Sequence, residues 1–209
     1  MNASIRPLIH GLCLIALALP GCAVYHMQAP RTTPEGEWDF GGSIGGVGLF
    51  STDSTGKLEF GAIPLAGFGA RYGIGKRFDV GISSWGVGAK LDCKYGIIPD
   101  YLAVGAGAGI GTLFSIAEFP FFYVGEGSLY LGYPFKKVYP YLSGRVWLLG
   151  LGTYAVNPML AAMAGLKIPL FRRTSIFLET GVLNAYYHDS GPWQNDLMLN
   201  ANIGFFFNK

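Results

Sequence analysis

Between Trp38 and Phe207 the chain repeatedly alternates apolar residues with glycine or polar residues, one for one. A period of two belongs to a β-strand whose faces meet different surroundings, because successive side chains point to opposite sides. In 86–97, Val87, Ala89, Leu91, Cys93 and Tyr95 share one face, and Gly88, Lys90, Asp92, Lys94 and Gly96 the other. In 101–113, Leu102, Val104, Ala106, Ala108 and Ile110 oppose Ala103, Gly105, Gly107, Gly109 and Gly111. In 157–168, Leu160, Ala162, Ala164, Leu166 and Ile168 oppose Met163, Gly165 and Lys167. In 196–207, Leu199, Ala201, Ile203, Phe205 and Phe207 oppose Asn200, Asn202, Gly204 and Phe206. No helical period competes with this pattern.

A soluble barrel turns its polar face to water, and a membrane barrel turns it to the lumen. Composition favours the second. Charged residues are 13% of the chain, where a soluble domain has about 25%. A soluble sheet with so few charges would expose large apolar patches. Closure follows from the same reading, since lipid tolerates no unpaired sheet edge. The fold expected is all-β, an up-and-down antiparallel transmembrane β-barrel of about ten strands. The strands are expected at 38–50, 58–74, 78–84, 86–97, 101–113, 120–132, 138–149, 157–168, 174–187 and 196–207. A hairpin at Ser84-Trp85 separates ten strands from an eight-strand alternative. Short turns at 75–77, 99–100, 134–137 and 169–173 alternate with longer connections, as such a barrel requires. An even count puts both strand termini on the periplasmic side.

The inward polar set is then Arg71, Asp79, Lys90, Asp92, Lys94, Glu126, Arg145, Lys167 and Glu179. Its signs are mixed. In a narrow barrel these groups must pair, because an unpaired buried charge is costly. An interior network of ion pairs is expected, and not a charged pore. Trp38, Tyr72, Trp85, Tyr95, Tyr123, Tyr130, Tyr186 and Trp193 lie near strand ends, where girdle aromatics sit.

Residues 1–21 read as a signal peptide: Arg6, then an apolar core from Leu8 to Leu19, too short for a membrane helix. The segment ends at Leu19-Pro20-Gly21-Cys22, which resembles the lipobox of bacterial lipoproteins. That resemblance implies cleavage before Cys22, acylation of Cys22 with palmitate-type chains, and passage through the lipoprotein-processing machinery. Ala23, where an Asp would signal inner-membrane retention, agrees with export to the outer membrane. Two or more acyl chains give stable anchoring, here on the periplasmic side of the outer membrane. Residues 22–37 would be the lipidated cysteine and a polar, proline-bearing linker, and 38–209 a single barrel domain. The terminal Gly204-Phe205-Phe206-Phe207-Asn208-Lys209 is similar to the aromatic last strand of outer-membrane barrels, which implies the barrel-insertion machinery as a partner. Outer-membrane lipid and lipopolysaccharide are the surrounding partners. A periplasmic or surface protein partner stays open.

Other chemistry has little sequence support. Basic residues are scattered, so no nucleic-acid footprint is present. Cys93 is left alone beside Cys22, and only His26 and His188 remain as histidine ligands, so no metal site or cofactor is expected. Gly41, Gly42, Gly45, Gly46 and Gly48 lack the Lys-Ser/Thr pair of a phosphate loop. His188-Asp189-Ser190 resembles the His-x-Ser pair of outer-membrane lipid A deacylases. That resemblance implies a Ser190 nucleophile activated by His188, with Glu179 among the acids that would orient the base. Lys136-Lys137 and Arg172-Arg173 sit in expected periplasmic turns.

The leading expectation is a lipid-anchored barrel with a structural or surface-interaction role and no catalysis. The alternatives are a rim hydrolase using His188 and Ser190, and a narrow selective channel or small-ligand transporter.

Overall fold

The computed structural model describes residues 27–52, 58–85, 88–111, 122–151, 157–171, 173–187 and 194–208. Among them ten antiparallel strands close into one transmembrane barrel, each paired with its sequence neighbour and β1 with β10. The strands are β1 Trp38–Thr52, β2 Leu58–Gly75, β3 Phe78–Trp85, β4 Gly88–Ile98, β5 Leu102–Gly111, β6 Phe122–Gly132, β7 Tyr139–Leu151, β8 Asn157–Phe171, β9 Thr174–Tyr187 and β10 Gln194–Asn208. The ten-strand expectation holds and the eight-strand alternative falls. The β3–β4 hairpin turns slightly later than Ser84-Trp85, because Trp85 still pairs with Gly88.

Closure is continuous. The β1–β10 ladder runs from Asp39↔Asn208 to Leu49↔Met198. Four short connections, at 76–77, 99–101, 133–138 and 172–173, lie at the same end as the start of β1 and the finish of β10. We call this the short-turn end. Asp100 turns its corner with φ of 65°, a conformation that aspartate tolerates better than most residues. Register shifts at Gly73/Gly75, Gly96/Ile98 and Pro169/Phe171 also fall here. They let strands of unequal length meet a common rim.

The alternation maps onto the wall as expected. Ile44, Phe68, Ile82, Leu91, Ile110, Leu142, Phe205 and Phe207 are exposed on the outside. Arg71, Asp79, Lys90, Lys94, Arg145 and Glu179 are each no more than 3% exposed. A water-facing wall would have the reverse order, so the outer face is suited to lipid. Trp38, Tyr95 and Tyr123 are exposed on it, and Trp38 packs on Phe40 and Tyr72 near the short-turn rim. Tyr130 departs from the girdle expectation. It lies two and four residues from Ser128 and Glu126, shares their inward face, and is 1% exposed.

The outer face yields a direct prediction. Ile44 is 68% exposed and sits midway along β1. Ile44→Arg should cost about 2–4 kcal/mol in lipid, read as a lowered midpoint in urea unfolding from vesicles. Ile44→Leu should leave the midpoint in place.

Candidate functional site: the plugged lumen

Residues 27–30 and Thr33, expected in a linker outside the fold, are buried inside the barrel, with Arg31 and Pro34 exposed at its rim. The segment enters at the short-turn rim, where Glu35 bridges Gly73 in parallel and the Gly36 N–H donates to the Gly73 carbonyl at 2.9 Å. Further in, Met27, Gln28, Ala29 and Thr33 are all buried. Met27 and Ala29 join Tyr139, Tyr141, Phe177 and Phe206 in one apolar cluster, with the Phe177 and Phe206 rings 4.5 Å apart. A luminal segment outside the sheet must find partners for its backbone. Pro30 and Pro34 lessen that demand because neither has an N–H.

The wall supplies most of the partners. The Thr33 N–H donates to Asp79 Oδ2 at 2.7 Å. Lys94 Nζ donates to the carbonyls of Ala29 and Arg31 at 3.1 and 2.8 Å. Gln28 Nε2 donates to Asp92 Oδ1 at 3.3 Å. Glycines make the room. A Cβ on Gly73 would run into the backbone of Pro34, and one on Gly204 would meet Met27 Sδ at 2.8 Å. At Gly73 the obstacle is main chain, which cannot swing aside as a side chain can.

The same wall residues carry an ion-pair layer. Asp79, 0% exposed, takes Arg71 Nε at 3.0 Å and Lys94 Nζ at 3.6 Å. Arg71 also bridges to Asp92, and Lys90 of β4 pairs with Glu126 of β6, over β5. Across the lumen Glu179 accepts from Arg145 Nη2 at 3.2 Å and Tyr141 Oη at 3.0 Å. Lys167 lies over the Phe177 ring, 5.2 Å from its centroid. The nine inward residues thus fall into four groups, three salt-linked clusters and one cation–π contact, with Lys94 and Arg145 also near the Tyr130 ring.

Towards the opposite end the lining changes. Val47, Val124, Trp147, Leu149, Met159, Met163, Leu183 and Met198 are each no more than 3% exposed. They form an apolar wall carried by β1 and β6 to β10. On the β3–β5 side Ser83 and Gly109 flank the buried Lys90, with which both are in register, and Asn200 is in register with Val47. Trp147 Nε1 is buried with no hydrogen-bond partner among the described residues.

The other sequence candidates are placed differently. Cys22, His188 and Ser190 lie outside the described residues. Glu179 is buried on the inward face of β9. It sits eight residues from the end of β9 at Tyr187, roughly 26 Å along a strand, and is held by Arg145 and Tyr141. The period of two explains this: Glu179 shares the inward face of Phe177 and Leu183. Cys93 is a free thiol of intermediate exposure. Among the described residues no group of three or more His, Cys, Asp or Glu side chains is arranged to hold a metal.

No family model and no curated protein matches the chain. Solved structures do. Neisserial surface protein A is similar at 14% identity, with a TM-score of 0.40 over 83% of this chain and 99% of that one. An outer-membrane channel from Pseudomonas putida F1 is similar at 8% identity, with a TM-score of 0.49 over 86% and 97%. The outer-membrane protein OprG from Pseudomonas aeruginosa follows at 10%, with 0.34 over 87% and 99%. The likeness is one of fold.

The ion pairs predict a coupled stability effect. Arg145→Met leaves Glu179 charged and buried, which should cost about 3–5 kcal/mol. Adding Glu179→Gln should restore a large part of the loss. Urea unfolding of both variants in lipid measures the coupling.

Proposed function

We propose that this protein is an outer-membrane barrel providing a narrow, plugged path for small, largely apolar solutes. One observation carries the reading: the short-turn half of the lumen is filled by a separable segment, residues 27–34, and not by the wall alone. A barrel serving only as a structural element can fill its interior with wall side chains. A segment that lies outside the sheet can leave, and its removal would join the mostly apolar half to the short-turn rim. The apolar lining supports apolar solutes over ions. The ion pairs below it are internally compensated and offer no single-sign filter.

The outer-membrane setting is supported by the lipid-suited outer face. With both strand termini at the short-turn end, that end faces the periplasm in this reading. Lipidation at Cys22 belongs to the same proposal. Five residues separate Cys22 from the buried Met27, at most about 18 Å of extended chain. An acyl anchor in the leaflet and Met27 in its cluster therefore pull the segment in opposite directions, and the anchor would favour withdrawal. An intact mass showing a diacylglyceryl adduct on a chain starting at Cys22 tests this part.

The path itself is tested in planar bilayers. The full chain is expected to stay closed, or nearly so. A form lacking residues 27–34, and separately Gly73→Val, should show discrete conductance steps and faster uptake of an apolar probe into proteoliposomes. If both variants stay as closed as the full chain, the reading fails and a structural role takes its place.

A further inference from the structure

The short-turn rim is not uniformly charged. On the β2–β5 side Arg31, Lys76 and Arg77 are matched by Glu35, Glu37 and Asp100, and Arg31 Nε lies 3.3 Å from Asp100 Oδ1. On the β6–β9 side the described residues of the two turns, 133–138 and 173, hold Lys136, Lys137 and Arg173 and no acidic residue. Lys136, Lys137 and Arg173 are all exposed. The two turns are separated by the paired strands β7 and β8, so they sit about 10 Å apart.

Apolar side chains border both turns on the outer face. Tyr133, Phe135, Leu170 and Phe171 are exposed, Phe171 at 77%. Tyr133 packs against Tyr101 and Phe135, with centroids 5.7 and 4.8 Å away. The turns are held by their own backbone. Phe135 N–H donates to the Val138 carbonyl at 3.0 Å, and Asn208 N–H to the Arg173 carbonyl at 2.9 Å. The order from wall to rim is therefore lipid-facing aromatic, then cation, twice over and side by side. Aromatic rings favour the level of glycerol and headgroup, and clustered Lys and Arg favour anionic headgroups just beyond it.

We propose that this rim sector is a docking surface for anionic phospholipid, a phosphodiester headgroup with its acyl chains lying on Phe135 and Phe171. The cations meet the phosphate and the aromatics meet the upper chain segments. A soluble anion would use the first contact alone, and the exposed rings beside it favour a lipid. The proposal rests on the membrane-spanning fold and is independent of whether the barrel conducts.

The test is native mass spectrometry of the full chain released from nanodiscs of phosphatidylcholine doped with phosphatidylglycerol. The wild type should retain phosphatidylglycerol in clear excess over its share. Lys136→Gln/Lys137→Gln/Arg173→Gln should lower that preference by at least about tenfold, given roughly fivefold per surface cation. Lys76→Gln, on the matched side, should change it little. If the triple variant does not fold, the wild type serves alone. Salt at about 1 M, where the screening length falls to ~3 Å, should abolish the excess. Equal retention of the two lipids by the wild type, an unchanged preference in the folded triple variant, or an excess that survives salt would each overturn the proposal.

Discussion

Asp79 is the point on which wall and plug both depend. It has no solvent exposure, and a lone carboxylate there would be too costly to keep charged. Arg71 and Lys94 offset that cost from β2 and β4, and the Thr33 amide adds a third contact from the segment inside the lumen. Lys94 in turn holds two carbonyls of the same segment. The charges that neutralise one another across three strands are therefore the charges that seat residues 27–34. The segment is thus held by hydrogen bonds to both Asp79 and Lys94 without being part of the sheet.

The rest of the architecture follows from the absence of water outside the wall. Lipid offers no partner to backbone or charge, so the sheet closes on itself and the charged side chains turn inward. A ten-strand barrel is narrow, and mixed signs inside it pair over an intervening strand, Lys90 of β4 with Glu126 of β6 and Arg145 of β7 with Glu179 of β9. The interior becomes two unlike halves: a segment-filled half at the short-turn end and a mostly apolar half beyond it, with the Lys90–Glu126 pair at the level of Trp147. That division is what favours a gated path over a uniform filler.

Most of this wall was legible in the sequence. Period two placed Lys90, Asp92 and Lys94 on one face without any knowledge of the partner strands, and the same rule puts Tyr130 inside with Glu126. Strand count turned on one short element, β3, and on Trp85 staying in the ladder. The location of residues 27–34 was not legible. Gln28 and Thr33 look like linker residues, and the groups that bury them lie tens of residues away, on Asp92 and Asp79. Local pattern carries no trace of such contacts. Gly73 and Gly204 are equally silent, because a glycine in a strand does not announce which segment crosses over it. The same period placed Glu179 on the inward face of β9, where Arg145 and Tyr141 hold it.

The seating of the plug is the central claim, and the Thr33 amide reports it most directly. Hydrogen exchange in the lipid-reconstituted full chain should show that amide protected to a degree comparable with strand amides of β2, with the protection reduced in Asp79→Asn. Exchange of Thr33 at the rate of an unstructured peptide, in a barrel whose β2 amides are protected, would contradict the account.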